Sequence, residues 1–211
     1  MARRNILERL GLRRGLPRAL VPPLGLALGL TLGLGALGPG ALLPGRAKAE
    51  TFFSVRGLLG SHFRDSTSVG FERLRPIGTQ RARIEAQLGR RLAREEYIVY
   101  IARSRGAIDG YAIFDSELGQ HEPIDFATFL DAGGRVSRVE VLAYREPYGD
   151  GIRAERFRRQ FLGRHADTGF RTGRDIDAIS GATLSSRSMA RAVHRAVVLV
   201  SEMRRAPAGQ P

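Results

Sequence analysis

An α+β domain is predicted, with helices packed on one face of an antiparallel sheet and a signal peptide or membrane anchor ahead of it. Three observations predict it. Between Glu96 and Tyr144, runs rich in β-branched and aromatic residues follow one another through short, turn-rich connections, the pattern of an antiparallel meander. Segments before and after these runs repeat apolar residues at helical spacing, and such helices need a sheet to cover. The chain also opens on arginines followed by an apolar stretch, which reads as export rather than fold.

The opening segment spans residues 1–49. Arg3, Arg4, Arg9, Arg13, Arg14 and Arg18 stand against the single acid Glu8, and the apolar stretch runs from Ala19 to about Leu43. Its cleanest part, Leu24–Gly38, holds 15 residues, fewer than the roughly 20 that span a bilayer. Ala47-Lys48-Ala49 then offers a small-x-small site suited to signal peptidase, favouring a cleaved signal peptide over a retained anchor. With the basic excess ahead of the apolar stretch, the remainder is expected outside the cytoplasm. In a bacterium that is the periplasm, the protein being soluble after cleavage or anchored to the inner membrane.

Residues 50–95 read as a helical lead-in. Phe52, Phe53, Val55, Leu58, Leu59 and Phe63 make one helix face, weakened by Gly57 and Gly60 and broken at Arg64–Ser68. A second short helix covers Thr79–Arg91, with Ile84, Leu88 and Leu92 repeating at four. The domain proper, residues 96–205, begins with strands at Glu96–Ala102, Tyr111–Phe114, Ile124–Leu130 and Val136–Tyr144, joined in part by Ser104-Arg105-Gly106 and Asp131-Ala132-Gly133-Gly134. Ile152, Phe157, Phe161 and Leu162 mark a short helix ended by Gly163, with Phe157 and Phe161 as core residues. A long helix follows at or just after Thr183, carrying Met189, Val193, Val197, Val200 and Met203 at spacings of three and four. Residues 206–211 read as a disordered tail.

Composition excludes several function classes. The net charge is +13, but residues 1–49 carry eight basic groups and one acid, which leaves +6 for the rest. There the arginines alternate with acids, as in Arg153-Ala154-Glu155-Arg156-Phe157-Arg158-Arg159, a solvated helix face rather than a nucleic-acid groove. There is no cysteine, which rules out disulfides, iron–sulfur clusters and thioether-linked haem. His62, His121, His165 and His194 show no paired ligand spacing, so no metal site is expected. No Gly-x-Gly-x-x-Gly follows a strand and no Gly-x-Ser-x-Gly elbow is present, which argues against a dinucleotide enzyme and a hydroxyl-nucleophile hydrolase.

The segment Asp177-Ala178-Ile179-Ser180-Gly181-Ala182-Thr183-Leu184-Ser185-Ser186 carries the most chemistry. Gly181 permits backbone angles closed to other residues and Ala182 adds little bulk, so another protein or a phosphate can approach the Thr183 hydroxyl. The hydroxyls of Ser180, Thr183, Ser185 and Ser186 all suit a helix N-cap. The first turn would present free amides and partial positive charge to an anion. Read by itself, the stretch is either a phosphate-accepting site or a turn and a cap.

It also resembles the modification signal D-x-x-[ST]-G-A-[TS] of the FMN-binding domain family, as found in the flavin subunits of the sodium-pumping NADH:quinone reductase and the Rnf electron-transport complex. The resemblance runs from roughly Tyr97 to Met203. It implies FMN joined covalently by a flavin transferase, through a phosphoester, to Thr183, with Asp177, Ser180, Gly181, Ala182, Leu184 and Ser185 around it. A second family-like segment is Arg145-Glu146-Pro147-Tyr148-Gly149-Asp150-Gly151, similar to the family's Glu-Thr-Pro-Gly-Leu-Gly loop beside the isoalloxazine ring. Glu146 and the glycines match it; the Thr-Pro-Gly order does not. On the residues themselves, Gly149 and Gly151 allow backbone to approach a flat ring and Tyr148 can stack on it, or the loop is a plain glycine turn with Tyr148 at the surface. The function expected is an exported electron carrier relaying electrons between membrane redox proteins, rather than a stand-alone enzyme. The alternative is a non-redox binding module in which Ser-Gly-Ala-Thr only caps a helix.

Overall fold

The computed structural model describes residues 50–51, 53–146 and 148–205. The expected leader, residues 1–49, and the tail, 206–211, lie outside the described residues. In chain order the elements are β1 (Glu50–Thr51), α1 (Val55–His62), β2 (Ser68–Leu74), α2 (Gly78–Leu88), β3 (Tyr97–Ser104), β4 (Ala107–Leu118), β5 (Pro123–Asp131), β6 (Val136–Tyr144), α3 (Glu155–Arg158) and α4 (Thr183–Arg205). Single 3-10 turns, Asp150–Arg153 and Arg159–Phe161, flank α3. The strands form one antiparallel sheet in the order β1-β6-β5-β4-β3-β2.

The meander follows from its turns. Arg105 and Gly106 both take positive φ, 51° and 86°, as a two-residue hairpin requires if its twist is to match the strands. Between β5 and β6, Gly134 sits at φ 80° and its amide bonds to Asp131 O at 3.0 Å. The helix expected after Thr183 begins there and runs to Arg205. Met189, Val193, Val197 and Val200 are at most 1 % exposed, and burial at this level contributes about 1.5–3 kcal/mol per large side chain. They pack with Ile84 of α2, Phe157, Phe161 and the inward side chains of the strands, such as Ile101, Ile113, Phe126 and Val141.

Two expectations are corrected. Helices do not keep to one face: α1 lies on the other, where Leu58, Leu59 and Phe63 pack with Ala102, Ala112, Ala127, Phe129 and Leu142. The cause is strand alternation, which sends apolar side chains to both faces of β3 to β6 and leaves a second surface needing cover. Nor are residues 50–95 only a helical lead-in, because they supply both edge strands, β1 and β2. β2 pairs along its whole length with β3, from Ser68 opposite Arg103 to Leu74 opposite Tyr97. Among the described residues no helix is long and apolar enough to cross a membrane.

Under α4 lies a buried ionic cluster. Arg195, 4 % exposed, forms ion pairs with both Asp115 and Glu117 of β4. Burial works against the Glu117 carboxylate, yet Arg90 and Arg195 outweigh it and hold its pKa below the usual range. The cluster pins the middle of α4 to the end of β4, and so positions what stands at the beginning of α4.

Candidate functional site

The loop that delivers the chain to α4 is built around Arg164. Its guanidinium donates to Gln160 O at 2.7 Å, Gly169 O at 2.6 Å and Asp175 O at 2.5 Å, satisfying carbonyls that no strand or helix would pair. Gln160 then grips the start of the motif. Its Oε1 accepts from the Asp177 amide at 2.7 Å and its Nε2 donates to Asp177 O at 3.4 Å.

Ser186 staples the motif shut. Its Oγ accepts from the Ile179 amide at 3.2 Å and donates to Ala182 O at 2.8 Å, closing residues 179–186 on themselves. The turn passes through Gly181 at φ 75°, which an L side chain adopts only at a cost. Thr183 is therefore presented as the first residue of α4 and is exposed to solvent. The first i→i−4 bond of the helix is Ser186 N to Ala182 O at 2.8 Å, so the amides of Thr183, Leu184 and Ser185 precede the helical ladder and face an open helix end.

The cap expectation is met differently from its prediction. Among the described residues, none of the four candidate hydroxyls bonds a first-turn amide: Ser186 turns back to Ile179 and Ala182, and Ser185 is buried against Tyr144. Tyr144, at the end of β6, is the residue sequence reasoning missed. Its phenol donates to Tyr148 O at 2.5 Å and lies 2.9 Å from Ser185 Oγ. A carbonyl can only accept, so the single phenolic proton goes to Tyr148, and Ser185 donates to the phenol oxygen. Burial, only partly offset by the Ser185 bond, raises the Tyr144 pKa and keeps it a neutral donor.

This clasp brings the two sequence-predicted segments together. Gly149, at φ 97°, leaves no room for a side chain: a Cβ there would stand 2.5 Å from Tyr144 Oη and 2.7 Å from Ser185 Oγ. A Cβ on Gly151 would stand 3.4 Å from Ile179 Cγ2, so that residue too packs on the motif. Glu146 has a different task. Its Oε1 accepts from the amides of His121 at 2.6 Å and Glu122 at 3.1 Å, which anchors the β4–β5 turn.

Three large exposed apolar residues belong to the segments that meet at the start of α4. Tyr148 is 82 %, Leu118 58 % and Leu184 45 % exposed. Ser188 ties the leucines to one another, its hydroxyl shared between Leu118 O at 2.6 Å and Leu184 O at 3.0 Å. An accessible hydroxyl at a helix start, beside open apolar surface and a glycine loop, fits a ligand with a phosphate at one end and a flat ring at the other.

Residues 119–198 match the FMN-binding domain family. The matched segment opens at Gly119, against which the Glu146 carboxylate packs, and holds both the Glu146–Gly151 loop and Asp177–Ser186. This match supports FMN as the cofactor of this segment, in line with the resemblance read from the Asp-x-x-Ser-Gly-Ala-Thr stretch. No curated protein matches the chain. Solved structures similar to it include the crystal structure of NqrC of Shewanella oneidensis, 16 % identical, with a TM-score of 0.38. The alignment covers 52 % of this chain and 62 % of that one, less than two thirds of its length.

Within the FMN-binding domain, the residues present fit the cofactor by chemistry. The open end of α4 favours a phosphate, while Leu118, Leu184 and Tyr148 offer apolar area for a ring. Asp177 is exposed and its backbone is held by Gln160, which places its peptide in the motif's framework. Leu118, Ser188 and Gln160 join Tyr144 as site residues absent from the sequence reading. No local pattern marks them, since each acts through a partner more than ten residues away.

Proposed function

We propose that this protein is an exported electron-transfer flavoprotein that carries FMN on Thr183 through a phosphoester and passes electrons between membrane-associated redox proteins. The observation that carries the proposal is an exposed Thr183 at the first position of α4, inside a segment that matches the FMN-binding domain. The bound flavin supplies the redox chemistry.

The chain's own residues hold and orient. Amides of the first turn of α4 would stabilise the phosphate charge. Leu184 and Leu118 would cover part of the ring, with Tyr148 at its edge. The Tyr144–Ser185 clasp keeps the glycine loop against the motif, so these groups stay in one arrangement. Gly181 and the closed Ile179–Ser186 turn leave the hydroxyl reachable by a flavin transferase. Residues 1–49 support export, and the periplasm is the compartment proposed, with the protein either released after cleavage or anchored to the inner membrane.

The test is in-gel flavin fluorescence of the denatured protein, co-produced with a flavin transferase, beside Thr183→Ala and Thr183→Ser. Fluorescence that survives denaturation, disappears in Thr183→Ala and persists in Thr183→Ser is expected. A colourless wild type would leave Ser-Gly-Ala-Thr as a turn and refute the proposal in favour of a binding module. Bound FMN that dissociates on denaturation would refute the covalent link alone.

A further inference from the structure

Around the end of β4 the arginines outnumber the acids they pair with. Asp115 and Glu117 are nearly buried, and Arg195 binds both. Arg94 also reaches Asp115 at 3.3 Å, while Arg90 at 2.8 Å and Arg191 at 3.3 Å reach Glu117. Four guanidinium groups thus share two carboxylates. Arg187, four residues after Thr183 and exposed, adds a further cation with no ion-pair partner among the described residues.

This surplus adjoins the flavin site. Arg191 Nη2 lies 3.4 Å from Leu118 O and 3.2 Å from Ser188 Oγ, and Arg90 Nη2 donates to Arg191 O at 3.2 Å. Exposed Leu118 and Leu184 are therefore bordered by positive charge, an apolar centre with a charged rim. We infer that this face docks an acidic redox protein. The inference rests on the flavin reading above, since an electron partner must approach the cofactor edge. A positive rim raises the encounter rate with an acidic surface while leaving the contact weak enough to release it after transfer.

Two variants of equal net charge test it: Arg187→Glu/Arg191→Glu on this face, and Arg64→Glu/Arg105→Glu at the far end of the sheet. The probe is a fluorescein-labelled poly-glutamate peptide, followed by anisotropy at low and high salt. The first variant is expected to bind at least about fivefold more weakly than the second at low ionic strength, with the gap closing as salt screens it. Arg187→Glu alone, which breaks no ion pair, is expected to weaken binding about twofold. With FMN loaded and reduced, reoxidation by anionic ferricyanide, a one-electron oxidant, should slow in the first variant, whereas reoxidation by cationic hexaammineruthenium(III) should not. Equal losses in the two double variants, or no effect of Arg187→Glu, would overturn the docking face. Stronger binding to phosphatidylglycerol vesicles than to the peptide, lost in the same variants, would make the partner a membrane and overturn it too. Flavin content of the same samples separates the readings: protein without FMN refutes the electron carrier, whereas loaded protein with equal losses refutes only the face.

Discussion

Gly149→Ala probes how the glycine loop is held against the start of α4. Two costs add. The residue sits at φ 97°, and an L side chain in that left-handed region costs about 1–2 kcal/mol. The new Cβ would also stand 2.5 Å from Tyr144 Oη and 2.7 Å from Ser185 Oγ, so one partner must move and their mutual bond, ~0.5–1.5 kcal/mol, is lost. Together these predict a loss of about 1.5–3.5 kcal/mol, or a fall in Tm of roughly 3–14 °C for a domain of this size. Gly181→Ala is the control, because φ is 75° there but no atom outside its chain neighbours lies within 4 Å of the added Cβ; it should cost only the backbone part. Urea unfolding of both variants, with Tyr144→Phe and the Gly149→Ala/Tyr144→Phe double variant, completes the assay. Removing the phenol oxygen removes half of the clash, so the double variant should lose less than the sum of the singles. If Gly149→Ala costs no more than Gly181→Ala, and the double variant is additive, the clasp does not organise the site as argued.

Further outcomes follow from the same structure. Arg195→Met leaves Asp115 and Glu117 buried with only the outer arginines for company, and should cost about 3 kcal/mol, near the lower end for a broken buried pair, in urea unfolding. His62 and His194 both have pKa values lowered, chiefly by burial. The unfolded chain therefore takes up these protons first, and stability should fall as pH drops below about 6.5 and continue falling until the folded-state values are passed. His62→Gln/His194→Gln should flatten that part of a Tm-against-pH curve, and an unchanged slope would show that other groups are responsible.

The strands β3 to β6 and the helix α4 were legible because their periodicity matches their burial. β2 was not. Its sequence, Ser68-Val69-Gly70-Phe71-Glu72-Arg73-Leu74, is exposed or half-buried throughout, so no alternation marks it, and only pairing with β3 makes it a strand. The opposite placement of α1 was hidden for a related reason: periodicity tells which side of a helix is apolar, not which face of a sheet it covers. In the site, the motif around Thr183 announced itself through local chemistry, whereas the contacts of Tyr148 and Glu146 could not be read from their neighbours in sequence. The Tyr148 side chain is open and its carbonyl is the part held, by Tyr144. Glu146 turns to amides more than twenty residues away.

The meander, the long helix starting at or just after Thr183, the lack of thiol chemistry and a candidate acceptor hydroxyl on Thr183 were legible along the chain. Each depends on residues close together along the chain. Tertiary structure alone decided that the Gly149 loop meets the start of α4 through Tyr144 and Ser185, and that four arginines converge on Asp115 and Glu117 beside Leu118. Those groups are far apart in sequence, and only packing α4 across the sheet removes the solvent between them and turns separate side chains into a clasp and a charged rim.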